Sequence, residues 1–350
     1  MQRMNICGRL EDEFYQLKDA KIIASMKSRK PSDMVAFLQI TMNRGGIGGN
    51  PIRHVPIIES KTQDEPNRGE LKALISNLDL ASLLTPPWDE IPLEILEQKQ
   101  IPIATISEEI KNLSRQSIQV AFAYLFKSET PKLLVNSELG DAMKMLIEPQ
   151  KFGDKTRRYR TIPIFNEQTK LVGMLSYYNV LEEIKKRHGH QQFLQKTVGE
   201  LLKEIEQKIE DIPTLEHDSC LFQASSLLLG GPSAHIAITE GEKSLIVTGI
   251  VDDVKVKTNE HNLLMEAFAN RRLNSLQEKV VVGVNTVGKE DSLEIVLERF
   301  LKKPERPTAL LVGTDKSGKF HMEGIISYVD ILENFKKTFL GGSAQSDSED

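Results

Sequence analysis

The chain has 350 residues, 39% hydrophobic and 27% charged, with 45 basic and 50 acidic side chains and a formal net charge of −5. That length predicts two domains or three, and the composition is that of a soluble globular protein able to bury a core. The acidic balance weighs against a dedicated nucleic-acid binder, which carries a basic excess. An aromatic content of 6% with a single tryptophan, Trp88, weighs against a base-stacking platform.

The two cysteines, Cys7 and Cys220, lie far apart and neither belongs to a Cys-x-x-Cys pair. No disulfide framework or thiolate metal site follows, which suits a reducing compartment. The first twenty residues are charged and lack an apolar run, so no secretory signal is expected. No stretch approaches the ~20 apolar residues that a membrane helix requires.

In chain order, the sequence predicts one succession four times: strand, amphipathic helix, strand, strand, helix. The first strands are KIIA at 21–24, KLLV at 132–135, IPTL at 212–215 and VVVGV at 280–284. Helices follow at 31–44, 136–149, 217–231 and 289–303. In the last of these Leu293, Val296, Leu297, Phe300 and Leu301 stand at i, i+3, i+4, i+7 and i+8, a single buried stripe. Leu139, Ala142, Met143, Leu146 and Ile147 repeat it, as do Met34, Phe37, Leu38, Thr41 and Met42, and Leu221, Ala224, Ser225, Leu228 and Leu229. An Asp, Ser or Asn near each helix start supplies a cap. The middle strands read HVPII at 54–58, TIPIF at 161–165, HIAI at 235–238 and ALLV at 309–312.

The last strand of each unit runs into a helix through a recurrent junction: ALISNLDLA at 73–81, GMLSYYNVL at 173–181, GIVDDVKVK at 249–257 and GIISYVDIL at 324–332. The separations are 100, 76 and 75 residues (173−73, 249−173 and 324−249). Solenoid repeats recur every ~20–50 residues, so these units are small α/β subdomains instead. TPPWDEIP at 85–92 separates units one and two, and KKRHGHQQ at 185–192 separates the halves. The expected organisation is a first pair within 1–188, with units at 19–84 and 116–187, and a second within 193–340, with units at 205–265 and 276–338. The polar, acidic tail at 341–350 is expected to be disordered.

The order of elements, the hydrophobic-Pro-hydrophobic strand of units one and two, and the junction of two hydrophobics, Ser, two residues and Asp or Asn resemble the cystathionine-β-synthase (CBS) domain family. The resemblance runs from about residue 19 to 338. It implies an α/β fold of four β-α-β-β-α domains paired into two modules, in a disc similar to that of the regulatory γ subunits of AMP-activated protein kinase. It also implies adenine nucleotides or related adenosyl ligands in the clefts between paired domains.

The junction has the chemistry for such a ligand. Asp330 falls in the first helical turn, where the helix dipole favours a carboxylate. Its two oxygens can accept both vicinal hydroxyls of a ribose, with Ser327 adding a polar contact. Ser76 with Asp79 repeats the pattern, and Ser176 with Asn179 keeps it with a neutral amide. In unit three Asp252 takes the serine place and Lys255 the acid place; lysine only donates, so that junction is expected to be silent for ribose. The same letters also describe a capping box, in which a serine at a helix start exchanges hydrogen bonds with an acid three residues on.

For phosphate, Lys155, Arg157, Arg158 and Arg160 precede the middle strand of unit two, Arg53 and His54 hold the matching place in unit one, and His235 does so in unit three. Arginine suits bidentate phosphate binding, and the resemblance implies phosphate contacts from this strand start; a solvated basic loop is the plain alternative. NRGGIGGN at 43–50 lacks the Gly-Lys-Ser/Thr of a P-loop and follows a helix. His188 and His190 have no metal-ligating company, and no nucleophile elbow or His-Glu-x-x-His pair occurs. The sequon Asn112-Leu113-Ser114 has no secretion signal with it.

The expected function is therefore non-catalytic: a cytoplasmic or nuclear sensor that binds AMP, ADP, ATP or S-adenosylmethionine and signals to a partner kinase, transporter or enzyme, with a homodimer as one form of assembly. The alternative is an interaction scaffold of the same fold whose ligand sites are mostly degenerate.

Overall fold

The computed structural model describes residues 15–16, 24–25, 54–60, 67–76, 79, 116–127, 129–152, 155–186, 191–219, 223–224, 227–228, 235–241, 244–252, 278–280, 283, 285–302 and 307–340. Strand β1 (Tyr15–Gln16) pairs with Gly173 and Met174 of unit two, and unit one shows β2 (Ala24–Ser25), β3 (His54–Ser60) and β4 (Gly69–Ser76). Unit two follows with helices α1 (Ile118–Ala121) and α2 (Ala123–Phe126), strand β5 (Leu133–Leu134), helix α3 (Leu139–Ile147), a hairpin of β6 (Gln150–Phe152) and β7 (Lys155–Arg157), strands β8 (Thr161–Phe165) and β9 (Leu171–Ser176), and helix α4 (Tyr177–Lys186). Helices α5 (Gln191–Leu194) and α6 (Val198–Glu204) precede unit three, which has β10 (Thr214–Glu216), β11 (His235–Thr239) and β12 (Ile246–Asp252). Unit four has β13 (Glu278–Lys279), β14 (Thr286–Val287), α7 (Leu293–Leu301), β15 (Ala309–Lys316), β16 (Lys319–Ser327) and α8 (Tyr328–Leu340).

The four units share one strand plan. The first strand pairs parallel with the second, as β2 with β3, β5 with β8, β10 with β11 and β14 with β15. Parallel neighbours need a crossover, and an amphipathic helix supplies it. The second strand then pairs antiparallel with the third. Each of these hairpins changes register once, after Ile57, Ile164, Ile238 and Val312, always the fourth residue of its strand. The partner at that step is small every time: Ala73, Gly173, Gly249 and Gly324. A small residue at a bulge leaves room for another element to approach the strand. At Gly324 a Cβ would lie 3.1 Å from the Leu202 Cδ1 of α6 and 3.2 Å from the Gln207 Oε1.

The units join in pairs along their sheets. Units three and four form one continuous sheet through Ile246 with His321 and Val247 with Phe320. Units one and two meet where the Gly69 N–H donates to the Thr169 carbonyl at 3.1 Å and the Leu171 N–H to the Asn67 carbonyl at 2.7 Å. Helices then join the pairs. A single core holds Leu139, Met143, Leu146, Val180 and Leu181 of unit two together with Leu293, Leu297, Phe300, Ile331 and Phe335 of unit four. Tyr177 and Tyr328, the residues that follow the junction serines, stack on one another with centroids 3.8 Å apart and planes at 17°. Lys185 of α4 reaches Glu298 at 2.9 Å, and Lys336, at the same step of α8, reaches Glu148 at 3.3 Å. This part of the molecule has an approximate two-fold arrangement in which each unit presents the same face to the other.

The apolar stripes expected in 136–149 and 289–303 are the buried faces of α3 and α7, apart from the part-buried Leu301. Of the unit-four strand expected at 280–284, only Val280 and Gly283 are described, and the strand that pairs with β15 is Thr286–Val287. Gly283 takes a left-handed φ of 86° and its N–H donates to the Thr286 hydroxyl, a turn just ahead of that strand. Upstream of that turn, Glu278 and Lys279 pair with β12. The third unit's first strand begins at Thr214, two residues later than IPTL, after a 3₁₀ turn at Ile209–Asp211. The helix expected at 31–44, the linker 85–92, the glycine-rich 43–50 and the tail 341–350 lie outside the described residues.

Candidate functional site

The common strand plan brings the two sets of sequence-predicted residues together. In each unit the first residue of the middle strand faces the junction residue across the hairpin: His54 with Ser76, Thr161 with Ser176, His235 with Asp252 and Ala309 with Ser327. In unit one this sets His54, expected at phosphate, beside Ser76, expected at ribose; in unit two Arg160 directly precedes Thr161, and in unit three His235 faces Asp252.

Three junctions have the reciprocal half of a capping box. The Ser76 N–H and hydroxyl donate to Asp79 Oδ2 at 2.6 and 2.7 Å. Those of Ser176 donate to Asn179 Oδ1, both at 2.8 Å. Those of Ser327 donate to Asp330 Oδ2, both at 2.7 Å. The cap occupies one oxygen in each case, so capping and ligand binding are not exclusive for a carboxylate, which has a second oxygen with two further lone pairs. For Asn179 the remaining arm is an amide NH₂, which can donate to a hydroxyl oxygen but cannot accept from the diol, so it is the weaker partner.

The two aspartates differ at that second oxygen. Asp79 Oδ1 accepts a hydrogen bond from the Tyr124 hydroxyl at 2.7 Å. Asp79 and Ser76 are both buried, at 4% exposure. Among the described residues no other residue donates to Asp330 Oδ1, and its own backbone N–H also steadies the carboxylate. Burial pushes the Asp330 carboxyl above its ordinary value, opposed by the Ser327 N–H and hydroxyl and by the positive charge of Arg158. Arg158 comes from unit two and also lies 3.9 Å from Glu333 on α8, so it stands between the two halves. Tyr124 is the group that motif reading misses. It lies 45 residues from Asp79 and reaches it only because α2 packs against β4.

The remaining predicted residues are placed as follows. Arg160, His54 and His235 are buried. The His235 Nε2 is hydrogen-bonded to the Thr308 hydroxyl, so the matching strand starts of units three and four touch. Arg158 is exposed on one side of Tyr159, which is fully buried. Lys155 and Arg157 lie on β7, paired with Phe152 and Gln150 of β6. Arg53 and Lys255 lie outside the described residues, as do Cys7, Cys220, His188 and His190. Among the described residues no cluster of His, Cys, Asp or Glu could hold a metal ion, and no helix is long and apolar enough to cross a membrane.

No protein-family model matches the sequence, and no curated protein sequence is similar to it. Its fold does have solved relatives. A Methanocaldococcus jannaschii protein, described as a candidate archaeal homologue of the AMPK γ subunit, superposes with a TM-score of 0.65 at 13% identity, covering 94% of this chain and 100% of its own. A CBS-domain protein of Bacillus anthracis matches 42% of this chain and 97% of its own at 15% identity and a TM-score of 0.33. CBSX2, solved in complex with AMP, matches 41% and 97% at 17% identity and a TM-score of 0.32. The four repeated units, their pairing through sheets and the match to the archaeal protein over its whole length give the chain the fold of the CBS-domain proteins.

Proposed function

We propose that the chain is a non-catalytic sensor that binds an adenine nucleotide, or another adenosyl ligand, between paired units and passes the resulting shift to a partner protein. The reading rests chiefly on Asp330. Its Oδ2 holds the cap, and its Oδ1 receives no donor from any other described residue, so one oxygen is available for a ribose. Arg158 supports it, since an exposed guanidinium held only at 3.9 Å by Glu333 can exchange that partner for a phosphate. A ligand across two units changes their balance only through its different affinity for two arrangements. A partner kinase, transporter or enzyme in the cytoplasm would read that change.

A scaffold with degenerate sites is the second reading, favoured by the filled Asp79 and by the amide of Asn179. Calorimetric titration with adenosine, AMP, ADP, ATP and S-adenosylmethionine, alongside melting curves, separates the two. A sensor gains about 2.7 kcal/mol at 100 times Kd. Absence of any melting shift at millimolar concentration leaves the scaffold.

A further inference from the structure

Two short helical segments occupy matching places in the two halves. Ser117 caps α1 by accepting from the Val120 N–H, and Thr197 caps α6 by accepting from the Glu200 N–H. The segment begun by Ser117 packs on unit one, through α2 against β4. The segment begun by Thr197 packs on unit four, where Leu202 and Gln207 lie against Gly324 and the Ile325 N–H donates to Gln207. Counted from these caps, Tyr124 and Glu204 stand at the same step.

Their chemistry is opposite. A phenol donates a hydrogen bond, and Tyr124 donates one to Asp79. A carboxylate only accepts. Glu204 takes the Lys196 ammonium at 2.7 Å and the Asn334 amide, and these two hold its carboxyl below the usual range. Ionised, it has no proton to offer Asp330. Tyr124 is also fixed in place: its neighbours Phe122 and Leu125 are buried at 0% and 1% exposure, and the Thr130 hydroxyl ties the following turn to the Lys72 carbonyl at 3.4 Å.

We propose that Tyr124 is a built-in occupant of the Asp79 cleft, its hydroxyl standing where a ligand hydroxyl would stand, so that Asp330 and not Asp79 is the aspartate that takes a nucleoside. The proposal rests on the adenosyl-ligand reading above and selects the cleft. The three described donors on Asp79 leave at most one lone-pair site of roughly four, too few for a vicinal diol. Removing the phenol takes away the described donor on the second oxygen.

The test is calorimetry and melting of the full chain with adenosine and AMP, for the unaltered protein and for Tyr124→Ala, Tyr124→Phe, Asp79→Asn and the Tyr124→Ala/Asp79→Asn double variant. The expected result is one additional bound nucleoside per chain in Tyr124→Ala, lost again in the double variant, with Asp79→Asn alone leaving binding unchanged. Tyr124→Phe removes the hydrogen bond and keeps the ring; should Tyr124→Ala fold poorly, a weaker second binding step in Tyr124→Phe carries the same meaning. Asp79→Asn weakening nucleoside binding to the unaltered protein would overturn the proposal. So would folded Tyr124 variants whose stoichiometry matches the unaltered chain. If neither the unaltered chain nor any variant takes adenosine or AMP, the ligand reading falls and the proposal with it. If the unaltered chain binds and Tyr124 variants gain nothing, only the proposal falls.

Discussion

At the scale of single residues, unit two already contains the control for unit four. Asn179 receives the Ser176 N–H and hydroxyl at 2.8 Å, where Asp330 receives those of Ser327 at 2.7 Å. Asp330→Asn should therefore keep the cap and remove the charge. Burial raises the Asp330 pKa in the folded chain above its ordinary 3.8, so the folded state holds its proton more tightly than the unfolded one. The stabilisation from that proton is fully present below the unfolded pKa and is lost as pH rises through the folded value. At pH 7 Asp330→Asn should melt at or above the unaltered protein, with the difference vanishing below about pH 4. Nucleoside affinity should move the other way. Losing hydrogen bonds to a charged acceptor costs about 1.5–3 kcal/mol, roughly ten- to a hundredfold in Kd. A variant that melts lower and binds unchanged would mark Asp330 as a cap alone.

At the scale of elements, the bulge that follows the fourth residue of each middle strand fixes where each junction begins. In unit four it brings Gly313 against the neighbouring strand, where a Cβ would lie 2.0 Å from the His321 carbonyl oxygen. Backbone cannot yield as a side-chain tip does, so Gly313→Ala should destabilise by about 1–3 kcal/mol, as overpacking does. Gly140, in the first turn of α3, has nothing within 4 Å of its Cβ position, so Gly140→Ala should hold or raise the melting point. Paired thermal melts of the two variants measure the contrast. These elements also show how far letters reach. The stripes from Leu139 and Leu293 are local periodicities, and local periodicity survives folding because the core selects it. The serine-to-acid spacing is equally local and found three caps. What eluded sequence reading is set by distant partners or by a turn: Thr286–Val287, which follows the left-handed turn at Gly283, pairs with β15. Tyr124 meets Asp79 only through the packing of a helix from the next unit. No spacing rule contains that contact.

At the scale of the whole molecule, the shared core makes units two and four interdependent. Tyr328 is 3% exposed and belongs to the same cluster as Leu175, Val180 and Leu181. Tyr328→Ala should cost about 3–5 kcal/mol, the range for deleting a buried aromatic side chain. The loss should appear in both units: hydrogen exchange followed by mass spectrometry should show faster exchange in α4 as well as in α8. Acceleration confined to α8 would mean that the two units hold their structure separately.

The stacked tyrosines also have an optical meaning. Two aromatic rings 3.8 Å apart and nearly parallel couple their electronic transitions. That coupling weakens as the rings separate or tilt, and near-ultraviolet circular dichroism registers such packing. One ring belongs to each half of the chain and Tyr178 lies 4.1 Å from Tyr177 within its own half, so the part of the signal that depends on Tyr328 reports the packing between the halves. The molecule carries its own label-free gauge, placed next to the junctions from which any rotation would start.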